Sequence, residues 1–475
     1  MSTITSVRVR FAPSPTGIMH LGNVRAALIN YLFAKKNQGT FVLRIEDTDQ
    51  ERNVSAYTQQ IIDDLEWLGL KYTEGPVLSG PYAPYFQSER DLIYKDFLKI
   101  LEAKGSVYRC FCTLEDIEKK RQRQIVLKQP PRYDKTCLKL SAAVIATKVA
   151  LAEPHIWRFN LPDTSIAVHD LARGVIDFDL KNFSDFALTR TNGTFTFMFA
   201  NFVDDLTMKI SHVIRGEDHL TNTAGQAAMY AALDADTPVF WHLPIIVNSE
   251  GKKLSKRDFG FSLVDLKEAG FLPEAIDNYL AVIGGSFSSE IGSLSELVAT
   301  MNFDTMHASG QITYDVEKLR WINHHWIIKI STESLVERVM PFLKAAYPSI
   351  DTIALEKITQ LITSIKPELR IFADSVEKLA FYFNTPVINH EQLEALELVE
   401  YRILIHNCIK KSDISLELSD YIKKLQTATQ EVGVPVKKFY MLLRLALTGK
   451  PDGLSIKDLY AVLGSEEFFA RLSEL

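Results

Sequence analysis

The stretch RFAPSPTGIMHLGNVR, from Arg10 to Arg25, restricts the fold more than any other part of the chain. Pro13 and Pro15 fix φ and remove backbone donors, so neither a helix nor a sheet strand can run through them. Before them, Val7, Val9 and Phe11 alternate with Arg8 and Arg10, which predicts a short strand. After them, Val24, Ala27, Leu28, Tyr31 and Leu32 fall at i, i+3, i+4, i+7 and i+8, one face of a helix. TFVLRIED then reads as a second strand, and SAYTQQIIDDLEWLGL as a second helix through Tyr57, Ile61, Leu65 and Leu68. Strand, helix, strand, helix implies a parallel α/β sheet, with any ligand crevice at the carboxyl ends of its strands.

The turn itself suits a phosphate. Gly17 and Gly22 are spaced as in a G-x-x-x-x-G-K-[ST] loop, but Asn23 and Val24 stand where Lys and Ser/Thr belong. What remains is a stiffened loop leading into a helix N-terminus, whose free N–H groups favour an anion. His20 sits just before that helix, able to donate to a phosphate oxygen. Read alone, the same residues simply shape a βα turn and leave His20 a bystander.

The wider pattern resolves that ambiguity. The stretch closely resembles the HIGH signature of class I aminoacyl-tRNA synthetases in its glutamyl form, spelled here Met19-His20-Leu21-Gly22. Lys253-Leu254-Ser255-Lys256-Arg257 resembles the second signature of that class, KMSKS. RIEDTD, YFQSERDLIY, VDD, ISHVIRGEDHL, FLPEAIDNYL and KLRWIN also resemble bacterial glutamyl-tRNA synthetases. The likeness is strongest over 7–94 and 195–283 and weakens in the last third.

The resemblance implies a fold and a reaction. The fold would be α/β: a class I Rossmann-type catalytic domain, split between 1–94 and 200–250, with an α+β insertion at 95–199 that holds the tRNA acceptor end. A connecting domain carrying the KLSKR loop would follow at 251–320, then an all-helical anticodon-binding region at 321–475. Helical periodicity in ESLVERVMPFLKAAY and VKKFYMLLRLAL agrees with the last. In the implied reaction, glutamate attacks the α-phosphate of ATP, pyrophosphate departs, and a terminal hydroxyl of tRNA-Glu takes the glutamyl group.

The catalytic residues by this likeness are His20, Lys253 and Lys256. ATP contacts would come from Pro13, Ser14, Thr16, Gly17, His20, Gly22, Asn23, Lys253, Leu254, Ser255, Lys256 and Arg257. Gly22 would leave a gap for the nucleotide, and the two lysines would balance pyrophosphate on a loop that closes. Mg2+ is expected with the phosphates, with no dedicated protein cage. Glutamate contacts map to Arg10, Ala12, Ser14, Glu46, Phe197, Asn201 and Arg215. Arginine suits a planar carboxylate, and Glu46 suits the ammonium. Phe197 occupies a position where glutamyl enzymes commonly have Tyr, so a phenolic contact would be missing.

Cys110, Cys112 and Cys137 resemble the zinc site that some bacterial glutamyl enzymes carry in the insertion. There the fourth ligand follows two residues later. Here that residue is Lys139, so the reading is a degenerate cluster held by packing, without zinc. Cys408 reads as core. Trp321, Lys437, Lys438 and Arg444 could serve RNA or merely helix packing, and none is assigned to binding.

Composition adds bounds. The net charge of −6 means that any polyanion must meet locally concentrated Lys and Arg. Four cysteines in 475 residues suggest no disulfide framework, so a reducing cytoplasm is expected. No apolar run reaches the ~18 residues of a membrane span. A monomer is expected. Two alternatives stay open: an enzyme that also charges tRNA-Gln, and a catalytically inactive tRNA-binding paralogue.

Overall fold

The computed structural model describes residues 6–48, 55–285, 289–303 and 310–475. Asp49, which closes the RIEDTD motif, lies outside them. The chain divides into two compact units: Met1–Leu266 with Pro273–Val316, and Lys267–Leu272 with Glu317–Leu475.

The first unit opens with β1 (Arg8–Phe11), α1 (Leu21–Lys36), β2 (Thr40–Leu43), α2 (Ser55–Trp67) and α3 (Asp91–Ala103). Next come β3 (Val107–Cys110), α4 (Leu114–Val126), α5 (Ala142–Ala150), β4 (Ile156–Phe159), β5 (Ser165–Asp170) and β6 (Gly174–Asp179). The unit continues with α6 (Phe197–Thr207), β7 (His212–Gly216), α7 (Leu220–Ala232), β8 (Val239–Leu243), β9 (Ile246–Val247), α8 (Pro273–Val282) and β10 (Ile312–Thr313).

β1 and β2 pair in parallel, Arg8 with Thr40 through Phe11 with Leu43. A four-stranded sheet follows in the order β6-β5-β8-β7, with β7 and β5 both parallel to β8. The Ser211 N–H donates to the Arg8 carbonyl at 3.0 Å, which places β1 beside the start of β7.

The hairpin β5–β6 belongs to the stretch read as an insertion, yet it extends the sheet of the catalytic strands. The physical reason is its apolar face. Ile166, Val168, Ile176 and Phe178 pack on Val42, Met208, Val213 and Phe240. A two-stranded hairpin has no stability of its own until such a face is covered. The rest of the insertion keeps a separate antiparallel pair, β3 with β4.

Helix α1 is more deeply buried than its single apolar stripe suggested. Leu21, Val24, Arg25, Ala27, Leu28, Ile29, Asn30, Leu32, Phe33 and Ala34 are all buried, which surrounds the helix rather than siding it.

In the second unit no strand occurs among the described residues from 317 onward. Thr332–Ala346 and Val436–Thr448 form the two helices that periodicity predicted. Buried Arg471 ties two helix ends together, donating to the carbonyls of Phe381 at 2.8 Å and Leu447 at 2.7 Å. Lys438 and Arg444 are spent on packing, donating to the carbonyls of Leu396 and Leu454. Cys408 departs from expectation: it is half-buried on the helix Val399–Ile409, not core. Among the described residues, no helix is long and apolar enough to cross a membrane.

Candidate active site

A cavity of about 480 Å³ opens at the carboxyl ends of β1, β7 and β8. It gathers the two signatures from opposite ends of the first unit's sequence, with His20, Gly22 and Asn23 on one side and Lys253 and Leu254 on another.

His20 is the N-cap of α1. Its Nδ1 accepts from the Asn23 N–H at 3.2 Å, supplying one of the partners that helix ends lack. With Nδ1 accepting, Nε2 carries the proton as a donor. Burial, joined by the Lys253 charge, holds the imidazole below its usual range, so it is neutral at pH 7. A Cβ on Gly22 would stand 3.0 Å from His20 Cε1, so this glycine makes room first for the imidazole itself. Lys253 Nζ lies 3.2 Å from Asp218 Oδ2, an exposed pair at the cavity rim.

The inner end of the cavity is charged and buried. Helix α6 brings Phe197, Asn201 and Asp205 onto one face at i, i+4 and i+8. Asp205 takes Arg10 Nε at 3.1 Å and Arg44 Nη1 at 2.7 Å. Its neighbour Asp204 bonds Arg90 at 2.6 Å, Gln87 at 2.8 Å and Tyr94 at 3.0 Å, and lies 3.6 Å from Arg44 Nε. The VDD and YFQSERDLIY stretches therefore meet here as one buried network. Glu46 Oε1 accepts from Arg44 Nη2 at 3.0 Å and Asn201 Nδ2 at 2.7 Å, leaving Oε2 for another donor. Burial pushes its carboxyl above the usual range, against the pull of Arg44.

Arg215 is the notable cation. It is 6 % exposed, and its Nη2 donates to Thr223 Oγ1 and Gln226 Oε1, both at 2.7 Å. Its Nε and Nη1 have no hydrogen-bond partner, although the guanidinium lies 5.5 Å from the centre of the Phe240 ring. Burial, with Arg10 nearby, draws its pKa down to about 9, so it stays charged at pH 7. A buried guanidinium with idle donors facing a cavity is costly unless an anion completes it.

Of the residues expected to contact ATP, the cavity lining includes Pro13, His20, Gly22, Asn23, Lys253 and Leu254. Of those expected to contact glutamate, it includes Arg10, Ala12, Glu46, Phe197, Asn201 and Arg215. Ser14, Thr16, Gly17, Ser255, Lys256 and Arg257 are not part of the lining. Ser255 is held by Asp258, its N–H and hydroxyl both 2.8 Å from Oδ2, while Lys256 and Arg257 are exposed. Sequence reasoning overlooked Arg25, Asp218 and His219 in the lining, and Thr223 and Gln226 behind Arg215. Only Thr223 and Gln226 left a signal, being spaced i, i+3 on one face of α7.

The thiol cluster lies apart from this cavity. The sulfurs of Cys110, Cys112 and Cys137 lie within 4.8 Å of one another, Cys112 and Cys137 at 3.6 Å. Lys139 is exposed. The hydroxyl of Tyr133 instead lies 3.3 Å from Cys110 Sγ and 3.5 Å from Cys112 Sγ, and accepts the Cys137 N–H at 3.1 Å. The three sulfurs are ordinary zinc donors, and the phenol oxygen beside them brings the polar atoms gathered here to the four of a tetrahedral site.

Residues 6–321 match the family described as tRNA synthetases class I (E and Q), catalytic domain, and residues 334–475 match an anticodon binding domain. A glutamate–tRNA ligase of Syntrophus aciditrophicus is 36 % identical over 99 % of this chain and 98 % of its own. One from Hydrogenobaculum is 37 % identical over 98 % and 99 %. The crystal structure of a glutamate tRNA ligase from Elizabethkingia meningosepticum, in complex with its amino acid, superposes with a TM-score of 0.85. It is 32 % identical, and the match covers 99 % of each chain. The chain belongs to the bacterial glutamate–tRNA ligases, within the class I aminoacyl-tRNA synthetases.

Proposed function

We propose that this chain activates L-glutamate with ATP to glutamyl-adenylate and transfers the glutamyl group to the 3′ end of tRNA-Glu. The observation that carries the reading is Arg215, buried, cationic and short of partners on Nε and Nη1, in the same cavity as His20 and Lys253.

The roles follow from the donors each residue has left. Arg215 takes one substrate carboxylate, and Arg10 adds positive potential beside it. Glu46 Oε2 accepts from the substrate ammonium. The other carboxylate oxygen attacks the α-phosphate of ATP, and the P–O bond to pyrophosphate breaks. His20 Nε2 donates to the α-phosphate as negative charge builds there, a preorganised donor that needs no reorientation. Lys253 exchanges Asp218 for the departing pyrophosphate, and Lys256 joins it when the exposed loop closes. In the second step a terminal tRNA hydroxyl attacks the glutamyl carbonyl and AMP leaves.

Mg2+ enters with ATP as part of the substrate, as suits an ion that keeps its waters and binds chiefly through phosphates. A zinc ion in the thiol cluster would be held by Cys110, Cys112, Tyr133 and Cys137, where it would brace the inserted segment rather than act on substrate. Four thiols without a disulfide fit a reducing cytoplasm. The active species is a monomer.

Charging purified tRNA-Glu and tRNA-Gln separately with labelled glutamate tests the reading. ATP-dependent loading of tRNA-Glu is expected. Loading of both would make the enzyme non-discriminating, and loading of neither would overturn the assignment in favour of an inactive paralogue.

A further inference from the structure

We propose that Asp170, His242 and Thr223 are positioning residues that fix the orientation of the Arg215 guanidinium and thereby set its affinity for the substrate carboxylate. The inference rests on the functional reading above and deepens it.

Arg215 and His242 are register partners on β7 and β8, so their side chains leave the same face of the sheet. Thr223, on α7, stands between them. Its Oγ1 lies 2.7 Å from Arg215 Nη2 and 2.8 Å from His242 Nε2. His242 Nδ1 lies 2.7 Å from Asp170 Oδ2. Asp170, His242 and Thr223 are fully buried, at 0 % exposure.

Each link has one permitted direction. Burial opposes ionisation of Asp170, but its bonds to His242 and to the N–H groups of Ala172 and Arg173 outweigh that and hold the carboxyl below its usual range. It is therefore an acceptor only and takes the Nδ1 proton. Burial keeps His242 neutral, so Nε2 must accept. Thr223 donates its proton there, at 2.8 Å rather than to the His219 carbonyl at 3.4 Å, and turns its lone pairs toward Arg215, which can only donate. A hydroxyl that would otherwise rotate freely is locked by a carboxylate three links away from the cation.

Asp–His–hydroxyl is the order that activates a nucleophilic oxygen in other enzymes. Here the hydroxyl is sealed from solvent and capped by a guanidinium, so the chain aligns a cation instead. Gln226 completes the hold. Its Oε1 takes the second proton of Nη2, and its Nε2 donates to Asn201 Oδ1 at 2.8 Å. With Nη2 consumed, the remaining donors are aimed rather than loose, and a substrate carboxylate meets them without reorganisation.

The anchor of this chain comes from outside the catalytic strands. Asp170 ends β5, the strand that joins the sheet beside Phe240. Arg173 in the same hairpin turn reinforces it, donating to the His242 carbonyl and to Glu217 Oε2, both at 2.6 Å.

The test compares Thr223→Val with Thr223→Ser in the full chain, by glutamate-dependent ATP–pyrophosphate exchange. Thr223→Val keeps the shape but loses the hydroxyl, and should raise the KM for glutamate roughly 10-fold with the KM for ATP unchanged. Thr223→Ser should restore the glutamate KM. Asp170→Asn should reproduce the valine phenotype, because an amide can donate and so frees the His242 tautomer. Equal glutamate KM in the valine variant and the wild type would overturn the proposal. So would a rise in both KM values together with a lower Tm, the mark of a merely structural role. A wild type without glutamate-dependent exchange would instead refute the functional reading itself, and this inference with it.

Discussion

At the inner end of the cavity, the Phe197 ring lies 5.5 Å from the His219 ring and has no hydroxyl to offer a carboxylate. Phe197→Tyr should lower the KM for glutamate by up to about 5-fold, the worth of one hydrogen bond near 1 kcal/mol. An unchanged KM would show that the hydroxyl is irrelevant here. The lysines make a second residue-scale prediction. Lys253 lines the cavity, and Lys256 sits nearby in sequence on an exposed turn. Alanine at either should slow adenylate formation ~10²–10³-fold if the loop closes over pyrophosphate. Neither change should alter Tm, since both side chains are exposed. Near-normal exchange in Lys256→Ala would remove that residue from the mechanism. The residues that were legible in sequence, His20, Arg10, Glu46 and Arg215, lie in contiguous motifs with a strand–turn–helix context. Those that were not, His242 and Asp170, are separated from each other by 72 positions, and each alone reads as an ordinary buried polar group.

Two elements carry chemistry that periodicity does not announce. Helix α8 buries Asp277 at 1 % exposure with no partner for either carboxylate oxygen. Burial, with Glu274 adding to it, pushes this carboxyl well above its usual range. A raised folded pKa means that the native state binds the proton more tightly. Stability is therefore greatest below the unfolded pKa and is lost as pH rises through the folded one. Asp277→Asn should thus stabilise the chain by about 1–3 kcal/mol at pH 8, with the gain shrinking toward pH 4. Thermal melts at both ends of that range check it, and a gain independent of pH would contradict the assignment. The second element is the 3-10 turn Thr136–Lys139, which sets Cys137 beside Cys112. Metal analysis of protein purified without chelator should find about one zinc per chain, lost in Cys112→Ser. Zinc-free wild type would return the cluster to simple packing. In the sequence, Lys139 at the family's fourth position marks the cluster as degenerate; in the structure that lysine is exposed, and the Tyr133 hydroxyl lies beside the sulfurs instead.

Across the whole molecule, the α/β catalytic part and the helical last third were both legible, because strand alternation and helix periodicity are local signals. Sheet membership was not. Whether Ile166 and Val168 cover a separate domain or the catalytic sheet depends on Val42, Val213 and Phe240, residues far away in the chain. That pairing matters, because it brings Asp170 to the end of the hydrogen-bond chain behind Arg215. The polar groups lining and backing the cavity form one continuous frame. It runs from Arg10 through Asp205, Arg44, Glu46, Asn201 and Gln226 to Arg215, where Nε and Nη1 are left without a hydrogen-bond partner. The most direct test is the glutamate dependence of ATP–pyrophosphate exchange in Arg215→Ala, with Tm measured alongside. The account predicts a kcat/KM for glutamate lower by roughly 10²–10³, with an unchanged KM for ATP and a folded protein. A folded variant that activates glutamate as well as the wild type would contradict it.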